Sequence, residues 1–262
     1  MINWRKNEVK IIASASQKGG SGKSFLCLHS AGVLAEMGKR VLLCDVDQQG
    51  NLSGVFIENI YQPKHTVDDL LIDEPRAKTA DVIQPTAIEN IHILPANIKL
   101  SNLDVRLAGD YDAQTYLAEA LRQVQQQYDY VLIDCPPSLN LATRMALVAA
   151  AGAIIPIECH EWAFIGTEQI LSIIKQVKKR ANPKLRVLGL VINKLKTNRI
   201  VEREYESGLR QKFPKLLFTT RFRDHVQFVE AVTAKRPITH FLPKSEQATA
   251  FRGFVKELLN HG

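Results

Sequence analysis

Long apolar runs are missing from this chain of 262 residues. None approaches the ~20 residues that cross a bilayer. The opening "MINWRKNEVK" is charged where a signal peptide would carry its apolar core. Cysteine is scarce: Cys27, Cys44, Cys135 and Cys159 each stand alone in an apolar run. None has the close C-x-x-C spacing of a zinc site, an iron–sulfur cluster or a redox dithiol. Internal repeats and low-complexity linkers are lacking as well. These absences set aside a membrane-spanning protein and a metal-cluster carrier. They lead to the expectation of a soluble cytoplasmic protein whose thiols are small, buried and reduced.

What is present is enough apolar material, 45% of the side chains, for one sizeable core. A single domain over residues 1–262 is expected. Charge is distributed unevenly. Residues 175–262 carry 20 Lys and Arg against 7 Asp and Glu, whereas residues 1–174 carry 14 against 20. So basic a final third suggests a face for a polyanion, with a merely solvated basic surface as the competing reading.

"VKIIASAS" (9–16) is apolar and β-branched, and ends where glycines begin: a buried strand entering a turn. The following "SFLCLHSAGVLAEMGKR" has helical spacing and a stop at Gly38, and "VLLCD" (41–45) is the next strand. The opening is therefore a βαβ unit with parallel strands. Further strands are predicted at 91–96, 130–135, 153–158, 187–193 and 216–220, with helical patterns between most of them. The fold class is α/β, a mostly parallel sheet flanked by helices on both faces. Residues 58–90 read as a polar surface excursion.

Three motifs carry chemistry. The first is Lys18-Gly19-Gly20-Ser21-Gly22-Lys23-Ser24, between a strand and a helix. Its glycines let backbone N–H groups turn inward onto phosphate oxygens, and the helix adds its positive end. Lys23 reaches the β- and γ-phosphates and the Ser24 hydroxyl holds Mg²⁺. Gln17 stands where a standard G-x-x-x-x-G-K-[ST] loop would have its first glycine, so this loop is a variant with an additional lysine, Lys18, at its front edge. The second motif is Asp134, ending the apolar strand of "YDYVLIDCPPS" and placed to hold the Mg²⁺ shell through water. The third is Asp45 with Asp47, spaced i and i+2 and on one side if the strand persists. One of them would meet the metal shell and the other orient a water; a pair of turn-forming aspartates is the alternative.

With these motifs the chain resembles the ParA/Soj/MinD group of deviant Walker A ATPases, and most of all the short, Soj-like ParA proteins that partition DNA or position other cargo. "GKRVLLCDVDQQGN", "IENIHILPANIKL", "YDYVLIDCPPSLNL", "VLGLVIN" and "VEAVTAKRPI" follow in that family's order, so the likeness spans residues 9 to 260. It implies ATP and Mg²⁺ as ligands and slow, partner-stimulated hydrolysis. It also implies that Lys18 is the signature lysine, crossing in an ATP-bound homodimer to the phosphates of the opposite monomer. Asp47 becomes the residue that positions the hydrolytic water, Asp45 its metal-side neighbour, Asp134 the Walker B acid and Asn193 an adenine contact.

Departures from the family are visible. Gln48 replaces a proline, Ser24 the commoner threonine, "FRDHV" an I-P-R-N-V segment and "CHEWAFIG" an E-Y-Y-A-L-E-G segment. Trp162 and Phe164 are therefore expected in the core or at a dimer interface.

The family also coats DNA without sequence preference, a use that fits the basic third. Lys194, Lys196, Arg199, Arg203, Arg221, Arg223, Lys235 and Arg252 form the candidate patch. About a dozen residues precede the loop, too few for an amino-terminal helix-turn-helix, so operator reading is not expected. The partners implied are non-specific DNA and a ParB-like or other cargo adaptor, with the protein on the nucleoid. The alternative, a MinD-like membrane-surface positioner, would need the amphipathic "EQATAFRGFVKELLNHG" as an anchor, but Phe251, Phe254, Val255, Leu258 and Leu259 are expected to cover the sheet.

Overall fold

The computed structural model describes residues 10–57, 65–72, 75–196 and 200–260. Eight strands form one sheet: β1 (Lys10–Ser14), β2 (Val41–Asp45), β3 (Gln84–Pro85), β4 (Ile91–Leu94), β5 (Tyr130–Asp134), β6 (Gly152–Ile157), β7 (Arg186–Leu195) and β8 (Leu217–Arg223). Their order is β3-β4-β2-β5-β1-β6-β7-β8, and all pairs are parallel except β3 with β4. The helices are α1 (Lys23–Glu36), α2 (Ser53–Phe56), α3 (Asp68–Leu71), α4 (Thr79–Val82), α5 (Leu103–Arg106), α6 (Tyr116–Arg122), α7 (Leu141–Ala149), α8 (Ala163–Arg180), α9 (Ile200–Lys212), α10 (Val226–Thr233), α11 (Ile238–Phe241) and α12 (Glu246–Asn260).

The strands are apolar on both sides because both faces are covered. Ile12, Leu43 and Leu132 point into a core shared with Leu26 of α1, Phe228 of α10 and Phe254 of α12. Their neighbours Ala13, Leu42 and Ile133 point the other way, toward Leu121 of α6, Met145 of α7 and Ile174 of α8. The buried face of α12, with Phe251, Phe254, Val255 and Leu258, completes the first of these cores. Among the described residues no helix is long and apolar enough to cross a membrane.

Helix α1 stops where its sequence says it should. Gly38 takes φ 70°, its N–H donates to the Ala35 carbonyl and the next N–H, of Lys39, to that of Leu34. This six-to-one and five-to-two pairing is a Schellman cap, for which glycine is suited because a left-handed residue meets no Cβ clash there.

The βαβ opening is parallel, as expected, and β5, from far down the chain, lies between β1 and β2. In consequence Ser14 pairs with Asp134 and Asp45 with Asp134, so three strand ends meet at one level. The chain works to one side of β1 through β5 and to the other from β6 on, and crevices at such a switch point bind ligands. One expectation changes: the described part of 58–90 is no surface excursion. Val67, Leu70, Leu71 and Val82 are fully or almost fully buried in the core beside α6. Their elements, α3 and α4, are single turns, too short to show a period in the sequence.

Candidate functional site

The glycine loop leaves β1 after Ser14 and closes onto α1. At the helix entrance Gly22 has φ 109°, and a Cβ there would stand 2.0 Å from the Asn193 side-chain nitrogen. Glycine is required both by the backbone and by this close approach. As N-cap, Gly22 brings no side chain to the first-turn N–H groups of α1, which leaves them for an anion. Lys23 is 6% exposed; its Nζ donates to the Lys18 carbonyl at 3.1 Å, across the mouth of the loop. Burial lowers its pKa, against the opposing pull of the Asp134 and Asp47 charges.

Behind the lysine stand the three aspartates. Asp134 is fully buried, and neither carboxylate oxygen has a hydrogen-bond partner among the described residues. Burial first, and then the neighbouring Asp45 charge, push its pKa well above the usual range, with the nearby Ser24 hydroxyl pulling the other way. Buried Asp45 behaves differently. Its Oδ1 accepts from the Asp47 N–H at 3.1 Å, and its Oδ2 from the Ser53 N–H and hydroxyl at 2.8 and 2.7 Å. Ser53 Oγ in turn accepts from the Ala96 N–H at 2.8 Å. Both of its oxygens thus take part in folding the 45–53 loop. Asp47 lies past the end of β2; its Oδ1 accepts from the Gln49 N–H at 3.0 Å, and burial raises its pKa.

A buried carboxylate with two unpartnered oxygens, an almost buried ammonium and an uncapped helix start fit a Mg²⁺ bound together with phosphate. Ser24 Oγ and Asp134 are the groups that would hold it. Among the described residues no three His, Cys, Asp or Glu side chains form a protein-only metal site, as a cation carried in with phosphates does not need one.

The other lysine faces outward. Lys18 has 48% of its side chain exposed and is ion-paired with Glu158, just past β6, while His160 Nε2 lies 2.8 Å from its Nζ. The rim beyond it opens onto a cavity of about 890 Å³ that includes Trp162, Ile165 and buried Thr167. Trp162 is 65% exposed and Ile165 49%. Phe164, by contrast, packs on the core and lies against Gly208 of α9.

Asn193 lies beside the loop. Its amide is buried and donates to the Ser21 carbonyl at 2.9 Å, holding the loop from the β7 side. The basic candidates lie on several elements. Lys194, at φ 56°, leans toward the loop with its Nζ 3.9 Å from Glu158. Lys196, Arg203, Arg221 and Arg223 gather around the end of β7, α9 and the edge strand β8, although Arg221 is bound to buried Glu206 at 2.6 and 2.8 Å. Lys235 follows α10. Arg252 is on α12, clamped by Glu36 of α1 at 2.8 and 2.9 Å and by the Pro243 carbonyl. Arg199 lies outside the described residues.

Sequence reasoning missed Ser53 and Glu158. Ser53 follows Asp45 by eight residues with no motif between them, and Glu158 meets Lys18 across 140 positions. The only trace of the second was that "CHEWAFIG" breaks the family pattern.

Residues 9–187 match a family described as an AAA domain. The sporulation initiation inhibitor protein Soj of Bacillus subtilis is 35% identical over 254 residues, 97% of this chain and 99% of that protein. The chromosome-partitioning ATPase Soj of Thermus thermophilus is 36% identical over 253 residues, 96% of each. Among solved structures, cobyrinic acid a,c-diamide synthase from Mycobacterium smegmatis with bound ADP and magnesium superposes with a TM-score of 0.80 at 28% identity, covering 97% of this chain and 95% of that one. An ATP complex of McdA from Cyanothece shares the fold, with a TM-score of 0.84 at 22% identity and 96% of each chain covered.

Proposed function

The chain belongs to the ParA/Soj/MinD superfamily of P-loop ATPases, close to its Soj-like members, and on that premise we propose that it works as a partition or positioning ATPase. ATP assembles a homodimer, the dimer holds non-specific DNA of the nucleoid, and hydrolysis stimulated by a ParB-like or other cargo adaptor releases it. The observation that carries this reading is the opposed direction of two lysines on one loop. Lys23 is turned in and almost buried; Lys18 is turned out, at the rim of a cavity bordered by exposed Trp162 and Ile165. An outward cation beside an apolar face suits a second copy of the chain better than a small substrate, because it can reach phosphates bound opposite.

Each residue then has a task. The loop N–H groups and the start of α1 hold the phosphate chain, and Lys23 neutralises it from inside. Mg²⁺, bound by Ser24 and backed by Asp134, would supply charge neutralisation at the β- and γ-phosphates. Asp47 orients the attacking water through Oδ2, its other oxygen being fixed by Gln49. Lys18 of one monomer meets the charge that develops on the phosphates of the other, so loss of ATP loosens the dimer.

Exposed Lys196, Arg203 and Arg223 supply the DNA face; phosphate contacts of this kind give affinity without sequence preference. A MinD-like membrane role is less well supported, because the apolar residues of α12 that would anchor it are buried against the sheet.

Co-sedimentation with non-specific plasmid DNA, without nucleotide, with ADP and with ATP, tests the proposal. Binding is expected only with ATP. If about 6 phosphates are engaged, it falls on the order of a thousandfold between about 50 and about 200 mM salt. Equal binding in all three states, or none, would refute the DNA reading.

A further inference from the structure

Three basic side chains converge on one carboxylate at the rim of the loop. Glu158, 19% exposed, pairs with Lys18 through Oε2; His160 Nε2 stands 4.0 Å from the same oxygen, and Lys194 Nζ 3.9 Å from Oε1. The sheet order explains the meeting: β6 lies between β1 and β7, so its end faces the loop on one side and Lys194 on the other. Lys194 is one of three non-glycine residues with positive φ among those described, at 56°. L-residues adopt that conformation at a cost. Here it accompanies an amine turned back toward the loop, 3.7 Å from where a Cβ on Gly20 would stand.

This arrangement bears on how Lys18 can leave its own monomer. The proposed function needs Lys18 to cross to a second copy, but in the single chain it is already paired. Removing one partner of a partly buried ion pair costs more than the pair contributes, since the remaining charge is left uncompensated. The cost falls if a second cation is already within reach of the other oxygen. Lys194 is within ion-pairing distance there and needs only to close on Oε1.

We propose that Glu158 is a positioning residue that seats Lys18 in the monomer, and that Lys194 is the cation that takes over Glu158 when Lys18 crosses. The inference rests on the ATP-dependent dimer proposed above and deepens it. Glu158 sets the threshold for dimerisation and Lys194 lowers it. Lys194 then belongs to the switch and not to the DNA face.

A double-mutant cycle tests this, read as the dimer dissociation constant from sedimentation equilibrium at saturating Mg²⁺ and ATP analogue. Glu158→Gln removes the seat's charge and is expected to tighten the dimer about tenfold. Lys194→Met leaves the departing Lys18 to abandon a bare carboxylate, and is expected to weaken the dimer about tenfold. In the Glu158→Gln background Lys194→Met should have no effect, and Lys194→Arg should keep the parental constant. Two results would overturn the proposal: an unmoved constant in Glu158→Gln, or an equal effect of Lys194→Met in both backgrounds, which would place its amine on nucleotide or partner directly. If the parent itself stays monomeric, the functional reading falls and this inference with it; a dimerising parent with an additive cycle removes this inference alone.

Discussion

The two halves of the sheet's carboxyl end handle charge in opposite ways. Around β1, β5 and β2, Lys23, Asp134, Asp45 and Asp47 are buried at and around the strand ends beside the glycine loop. Around β6, β7, α9 and β8, most charges are exposed, though Glu206 is buried, and several basic side chains already have acidic partners: Glu158 for Lys18, Glu206 for Arg210 and Arg221. The first half leaves an unpartnered carboxylate that calls for a cation and a ligand. The second neutralises part of itself, so its formal charge overstates what it offers a polyanion. Buried charge marks chemistry more sharply than a surplus of exposed charge does.

The largest effect that would break this contrast is expected at Asp134. Asp134→Asn should lower ATP turnover at least on the order of a hundredfold. It should also raise the thermal midpoint of the nucleotide-free protein by about 3 °C, because burial of the carboxyl outweighs the pull of Ser24 and Lys23. A turnover loss with a lower midpoint would make Asp134 a structural residue. Asp47→Ala should cut turnover to a similar degree, on the order of a hundredfold. That variant should still form the ATP-dependent dimer, and unchanged hydrolysis would move the water-positioning task elsewhere.

The buried half should also be where acid acts. His29 of α1 is fully buried among Phe25, Phe228 and Phe251, accepts from the Ile238 N–H at Nδ1, and has its pKa lowered by burial to about 3. A folded-state pKa below the unfolded value favours the neutral ring. The stability it contributes is therefore complete above about pH 6.5 and is lost as pH falls toward about 3. Between pH 7.5 and 5 that loss is about 2 kcal/mol. His29→Gln, which keeps an acceptor for Ile238, should remove this part of the pH dependence in urea titrations; parallel pH curves for the two proteins would refute it.

The smallest effects separate the basic residues from one another. Arg252→Ala should cost about 1 kcal/mol of stability, through loss of the Glu36 clamp, and leave the salt dependence of DNA binding as it was. Arg223→Ala should leave stability alone and reduce the slope of log affinity against log salt by about 1. Exchange of these two outcomes would mean that the DNA face lies over α12 instead of the β8 edge.

The legible part of the molecule was the part written in short spacings. The loop from Lys18 to Ser24, the strand ending in Asp134, the Gly38 stop and the apolar face of α12 each fit within about one element, where period and capping chemistry act. What stayed hidden depends on encounters between distant segments. That β5 enters between β1 and β2 is decided by packing across some 85 intervening residues. Only that entry puts Asp134 level with Asp45. That Asp45 also folds the 45–53 loop was hidden because its partner Ser53 carries no signal of its own. The basic third looked uniform because Glu158, Glu206 and Glu36, which engage Lys194, Arg221 and Arg252, are far away in sequence or one element distant.

The central claim is that Lys18 ties ATP to the association of two chains. Sedimentation velocity with Mg²⁺ and a non-hydrolysable ATP analogue, on the parent and on Lys18→Ala, tests it most directly. The parent should move from monomer to dimer with the analogue and not with ADP, and Lys18→Ala should remain monomeric with both. A Lys18→Ala protein that dimerises as the parent does would contradict the account.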